Sequence, residues 1–298
     1  MFLKNKLLLG IFSLPLFFAS CGQFSNKPSA NQDKDSTRIV CVSKQLTELL
    51  FDLGQGNKIV GVDLSSTFPE AAKKIPTVGY HMMLSAEGIA ALRPTIVIFN
   101  KGTDAEVGPI TLLPQLQKIG IHIKQYPAAG SIDSLKMLIH LLGKDFNATA
   151  KADSICNKLD ADMKIVAEKQ KQYEGKPKPR VLIIHYGRKS NRYFVMGNNG
   201  TPTDLIEMAG GVNAADTTKW RNLSAETIVK DQPDVILATD YGFDKAGGVG
   251  KFLDVMPGLS LTPAGENKKV YRISEHDLLY LGPRTGENIL KLMDIIHR

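Results

Sequence analysis

One segment of this chain occurs twice, and that repeat limits the possible folds more than any other feature. Leu84-Ser85-Ala86-Glu87-Gly88-Ile89, with Pro94 and the apolar run Ile96–Phe99 behind it, returns as Leu223-Ser224-Ala225-Glu226-Thr227-Ile228, with Pro233 and Val235–Leu237 behind it. The offset is 139 residues both from Leu84 to Leu223 and from Pro94 to Pro233. Each copy reads as a short helix opened by a serine cap, a proline after the helix, and an apolar strand. A fainter pair, Thr47–Gly54 and Thr203–Gly210, supports the same duplication. So long a period in so few copies implies two similar lobes rather than a solenoid. Two lobes enclose a cleft, which suits capture of a small molecule.

The 298 residues suffice for two cores. The N-terminus belongs to neither. Lys4 and Lys6 precede a mostly apolar run, Leu7–Phe18, that is too short to span a bilayer, and Phe18-Ala19-Ser20 leads directly to Cys21. That pattern is similar to the lipobox of bacterial lipoproteins. It implies a signal peptide over 1–20, lipidation of Cys21 and a chain held at a membrane surface outside the cytoplasm. Residues 21–36 are polar and lack core residues, as a flexible tether would. The formal net charge is +7, or about +5 without Lys4 and Lys6, which is mild for this size. No basic stripe with interleaved aromatics is present, so nucleic acid is not expected as a partner. Besides Cys21 there are only Cys41 and Cys156, expected as two separate buried thiols.

Downstream of the tether the chain reads as α/β, with two lobes of mainly parallel sheet joined by one long helix. Strands are expected at Arg38–Ser43, Ile59–Asp63, Ile96–Phe99 and Ile121–Tyr126, with helices between and after them, giving a first lobe over 37–147. Ala152, Ile155, Leu159, Met163 and Val166 form the apolar stripe of a single amphipathic helix over 148–173. At 1.5 Å per residue it would run roughly 40 Å. The second lobe, 174–298, restarts with the strand Arg180–Tyr186 and includes Tyr193–Gly197, Val235–Thr239 and Lys269–Ser274. Gly242 to Gly250 reads as a glycine-rich loop.

Several side chains could carry chemistry. Glu87 and Glu226 lie in the first turn of the matched helices. There they complement the helix dipole, or they present one carboxylate per lobe to arginines of a two-fold partner. Tyr80 follows Gly79 in a loop that continues with His81, Met82 and Met83, a set of possible iron ligands and soft apolar contacts. At the end of the strand Arg180–Tyr186 stand His185 and Tyr186, then Arg188, Lys189 and Arg192. Carboxyl ends of parallel strands open into clefts. Trp220, the single tryptophan, fits either a stacking wall or the core; Arg284 either faces the cleft or pairs within its lobe. No hydrolase elbow, zinc-protease helix or phosphate loop occurs, so no residue is named as catalytic.

With these residues in view, the chain resembles the substrate-binding proteins of bacterial haem ABC importers, in the class III, helix-linked periplasmic binding protein fold. The likeness covers nearly all of the chain after the leader. It rests on Val78-Gly79-Tyr80 before Leu84–Ile89, on Ala209-Gly210-Gly211-Val212-Asn213-Ala214, and on Leu223-Ser224-Ala225-Glu226. Pro257-Gly258-Leu259, Leu261–Gly265 and Leu281–Gly286 extend it. The resemblance implies that haem is cargo rather than cofactor, and that Tyr80 gives its phenolate to ferric iron, with His185 as a second-lobe candidate. It also implies that Glu87 and Glu226 dock on the arginines of a permease dimer whose ATPase subunits do the work, and that the binding protein is a monomer. Many members carry a basic residue where this chain has Met82, so propionate pairing falls to Arg188, Arg192 or Arg284. A ferric siderophore or a corrinoid is the alternative cargo. A surface tetrapyrrole chelatase is the remote one, with His185 and Glu207 as its only candidate pair.

Overall fold

The computed structural model describes residues 37–80, 83–101, 107–188 and 190–298. The leader 1–20, Cys21, the tether to Ser36, His81, Met82 and Lys189 lie outside the described residues. Strand β1 (Ile39–Val42) is buried at every position, and Ser43 caps α1 (Lys44–Asp52) by accepting from the Leu46 amide. β2 (Ile59–Val62) follows, then the two-residue strands β3 (Gly79–Tyr80) and β4 (Met83–Leu84). Next come α2 (Ala86–Ala91), β5 (Ile96–Lys101), α3 (Val107–Lys118), β6 (His122–Pro127) and α4 (Ile132–Asp145). The first sheet has the order β2-β1-β5-β6 and every pair is parallel. An all-parallel sheet is covered on both faces, which is why β1, β2 and the first four residues of β5 are apolar runs without alternation, while the edge strand β6 carries His122, Lys124 and Gln125.

Helix α5 runs Thr149–Gln170, against the expected 148–173, and one 3-10 turn over Lys171–Tyr173 finishes it. β7 (Arg180–Gly187) then starts the second sheet, and β8 (Arg192–Val195) returns beside it. α6 (Thr201–Met208), β9 (Val212–Asn213), β10 (Arg221–Asn222), α7 (Ala225–Asp231) and β11 (Val235–Thr239) follow. The chain closes with α8 (Asp240–Ala246), α9 (Val249–Val255), α10 (Pro263–Glu266), β12 (Val270–Ile273), α11 (Glu275–Leu279) and α12 (Thr285–Ile296).

The second sheet runs β10-β8-β7-β11-β12, with β9 also on β7. β7, β9, β11 and β12 are parallel, whereas β8 is antiparallel to both β7 and β10. Four residues join β7 to β8, too few for a parallel crossover, so an antiparallel return is the only outcome. The expected glycine-rich loop over 242–250 is instead two helical turns, α8 and α9. Gly247 and Gly248, at φ 92° and 89°, supply the break between them in a region where a side chain is strained.

The repeat is visible in the backbone. Arg93 and Gln232, 139 residues apart, both adopt positive φ (48° and 40°) just before the matched prolines. Each copy also has an arginine cap that the sequence reading overlooked. The Arg38 guanidinium donates to the carbonyls of Leu92 (2.7 Å) and Arg93 (3.0 Å), at the end of α2. Arg180 donates to Asp231 O (2.7 Å) and Gln232 O (3.4 Å), at the end of α7. A cation there satisfies orphan carbonyls and opposes the negative end of the helix dipole.

α5 is the shared core element. Its Ala152, Cys156, Leu159 and Val166 belong to one apolar cluster that also holds Leu135 and Ile139 of α4, Val181 and Ile183 of β7, and Ile289 and Leu292 of α12. Cys41 and Cys156 are both free and buried, and burial pushes the Cys41 thiol up to about 12. Leu159→Ala should lower the unfolding free energy by about 2–5 kcal/mol. Because one cluster serves both sheets, a denaturant titration followed by circular dichroism should still show a single transition, moved to lower denaturant.

Candidate functional site

At the carboxyl end of β2 the chain turns into the β3–β4 hairpin, whose root is tied down by backbone bonds from Val78 N to Val62 O and from Leu64 N to Gly79 O. Gly79 sits at φ 114°, and a Cβ there would come within 2.4 Å of the Met83 carbonyl, so only glycine fits. The next residue, Tyr80, pairs with Met83, and it is 38% exposed. Met83 and Leu64 beside it are exposed as well, which makes this end of the first sheet an apolar shelf.

The carboxyl ends of the two sheets meet through α1 and α11. Lys44, the first residue of α1, lies 3.8 Å from the Glu275 carboxylate, the first residue of α11. Gln45 Nε2 donates to Leu281 O at 2.8 Å. Glu48, one turn along and 2% exposed, takes Arg284 Nε at 2.8 Å on one oxygen and faces His276 Nε2 at 2.7 Å on the other. Arg284 also donates to Asp277 at 2.6 Å and lies over the Phe68 ring at 4.0 Å. The sequence left Arg284 open between the cleft and a pair within its lobe. It makes that pair, and it also reaches across to the first lobe, so its guanidinium is committed to a clamp rather than offered to a ligand's carboxylate.

His185 stands near the carboxyl end of β7. Its Nδ1 is 3.2 Å from the Thr239 hydroxyl and 3.9 Å from the Glu275 carboxylate, and its ring meets Trp220 edge-on at 5.2 Å. Trp220 is 49% exposed, so it is not part of the core. Burial holds the His185 pKa below its ordinary value, and Lys44 and Arg188 add to this against the pull of Glu275. Lys44 is likewise held below the usual lysine range, first by burial and against Glu275. Arg188 is exposed over the Tyr241 ring at 4.2 Å, and Arg192 is exposed at the start of β8.

Tyr186 is a correction. Being next to His185 on a strand, it points to the opposite face, where it is buried, hydrogen-bonded to Asn191 and packed on Tyr193. It does not line the cleft. Glu207, on α6, makes no ion pair with His185; the carboxylate within 4 Å of that ring is Glu275. The His185–Glu207 pair is therefore not assembled.

Glu87 and Glu226 are both exposed in the first turns of α2 and α7, and neither enters an ion pair among the described residues. Ser85 accepts from Gly88 N, and Ser224 accepts from Thr227 N with a reciprocal bond from Thr227. Leu84 pairs with Gly79 beside β2, and Leu223 N bonds to Tyr193 O beside β7, so each capped start lies at its sheet's carboxyl end.

The sequence reading missed Lys44, Leu64, Tyr241 and Glu275. All four stand two residues past the carboxyl end of a parallel strand. A rule that inspected every such position, not only those bearing His, Tyr or Arg, would have found them.

The family described as periplasmic binding protein matches residues 39–276. A solved structure of similar fold is the periplasmic heme-binding protein RhuT from Roseiflexus sp. RS-1, at 32% identity and TM-score 0.78, over 88% of this chain and 98% of that one. Among curated relatives, an uncharacterized ABC transporter substrate-binding lipoprotein of Bacillus subtilis is 28% identical, over 90% of this chain and 84% of its own length. A vitamin B12-binding protein of Vibrio campbellii is 24% identical, over 86% of each.

Two measurements follow from this geometry. An imidazolium quenches a neighbouring indole, so Trp220 fluorescence should fall on acidification, with a midpoint below the ordinary histidine value of about 6.5. Glu275→Gln removes a charge that favours the protonated ring and should move that midpoint lower; His185→Gln should abolish the transition. Arg284→Ala leaves Glu48 buried without its guanidinium and should cost about 3 kcal/mol in a denaturation experiment.

Proposed function

The chain belongs to the periplasmic binding protein family, and we propose that it captures haem between its two sheets and delivers it to the membrane subunits of an ABC importer. The observation that carries this reading is Tyr80, an exposed phenol on a hairpin aimed by Gly79 and flanked by the apolar side chains of Leu64 and Met83. A phenolate is a hard anionic ligand that suits ferric haem iron. Haem is a broad apolar plate with two carboxylates. Leu64, Met83, Tyr241 and Trp220 offer apolar surface for such a plate, and Lys44 and Arg188 offer cations for its acidic edge. Similarity to the heme-binding protein of Roseiflexus supports the same cargo.

Members of this family act outside the cytoplasm as binding proteins. For this chain we assign the membrane tether to a lipidated Cys21, with 21–36 as the spacer. Glu87 and Glu226 are the contacts for permease arginines, one from each half of a permease dimer, where bidentate pairs set the docking register. His185, beside Trp220, is the second-lobe candidate for the iron, and ATP hydrolysis is left to the importer's other subunits. The B12-binding relative favours a corrinoid as the second reading. Titration of the purified protein with hemin should produce the Soret band of a tyrosinate-ligated ferric haem and quench Trp220. Tyr80→Phe should weaken binding at least about tenfold and change that spectrum. An unchanged Tyr80→Phe spectrum removes Tyr80 as the ligand; tight binding of cyanocobalamin with none of hemin selects the corrinoid.

A further inference from the structure

Lys44 is an unusual cation. Its side chain is only 24% exposed, yet its ammonium donates no hydrogen bond among the described residues. Its neighbours are the Glu275 carboxylate at 3.8 Å and the face of the Tyr280 ring at 5.1 Å. An ammonium has three donors, and one largely removed from water needs acceptors for them. The other carboxylates nearby are engaged elsewhere. Asp63 accepts from Ser65 N and from the hydroxyls of Ser65 and Ser66, and Asp240 accepts from the amide of Tyr241. Glu275 differs, because its side chain accepts no hydrogen bond among the described residues. It stands 3.8 Å from the Lys44 ammonium on the first lobe and 3.9 Å from the His185 ring on the second.

A carboxylate that neutralises a buried cation without hydrogen-bonding to it is readily replaced by one that does. We propose that Lys44 is the anchor for a carboxylate of the cargo, and that Glu275 is a place-holding anion which the cargo's carboxylate displaces. The inference rests on the haem reading and adds a subsite to it. Glu275 reaches Lys44 from across the cleft, so the exchange removes one tie between the lobes while the Glu48 clamp below it stays closed. Binding of the acidic edge is thereby coupled to how the two starts of α1 and α11 sit against each other. Neutral plates of the same shape would gain nothing from Lys44, which makes the residue a discriminator among iron-bearing cargoes.

The test compares hemin with hemin dimethyl ester, which keeps the iron and the plate and lacks both carboxylates. The readouts are Trp220 quenching and the Soret band, with the full-length protein. Lys44→Gln should weaken hemin about tenfold and leave the ester unchanged, as loss of a charged hydrogen bond would. Lys44→Arg should restore most of the hemin affinity, which separates loss of charge from misfolding. Glu275→Gln removes the competitor and should tighten hemin about threefold, with no effect on the ester. If the wild type binds both compounds equally, or if Lys44→Gln weakens both alike, the anchor is overturned and the haem reading stands. If neither compound alters the spectrum of the wild type, the haem reading falls and the anchor with it.

Discussion

Glu48 holds the two halves of this molecule in register. It is carried on the first helix of the first lobe, is buried from solvent, and is enclosed by His276 and Arg284 of the second. A lone carboxylate at that depth would cost several kcal/mol in desolvation. It is tolerated because each oxygen has a partner and because Phe68 covers the guanidinium. The geometry therefore holds only when both lobes are placed as they are. Gln45 adds a neutral bond to Leu281 from the same face of α1, and α5 supplies the apolar part of the same joint. Arg284→Ala is informative for this reason: it removes the partner and leaves the buried charge behind.

That joint explains the character of the cleft above it. Its lower edge is formed by residues with fixed partners, while the groups nearer the opening, Lys44, Glu275, Arg188 and Trp220, are held loosely or only by ring contacts. A ligand can thus exchange partners at the mouth without opening the base. With α5 packed into one core with both sheets, large hinge motion would expose apolar surface at about 25 cal/mol per Å². Small adjustments at the mouth carry no such cost. This division suits a binding protein that must hold its cargo and then yield it.

The duplication was legible in the sequence to the level of local chemistry. Serine caps, first-turn glutamates and the prolines ahead of β5 and β11 recur because a helix start and a strand start are decided by a few adjacent residues. The capping arginines, Arg38 and Arg180, escaped notice although they are equally local to their lobes. Each reaches a carbonyl more than fifty residues away, and no spacing rule announces that. Gly242–Gly250 was misread for a related reason. Glycine content signals a loop, but packing of Phe243 and Phe252 against the second core stabilises helical turns on either side of the glycine break.

From sequence alone came the two lobes, the helix between them, and the place of Tyr80 just before the first repeated helix, since periodicity, caps and turns are short-range properties. Tertiary structure alone decided which charged groups are available to a ligand. Glu48 and Arg284 are 236 residues apart, and only folding shows that they consume each other while Lys44 is left with an anion it does not hydrogen-bond. His185 and Tyr186 are neighbours in the chain and opposites in the fold, because alternate side chains of a strand face opposite ways. Which of the two faces the cleft depends on where the rest of the sheet is packed.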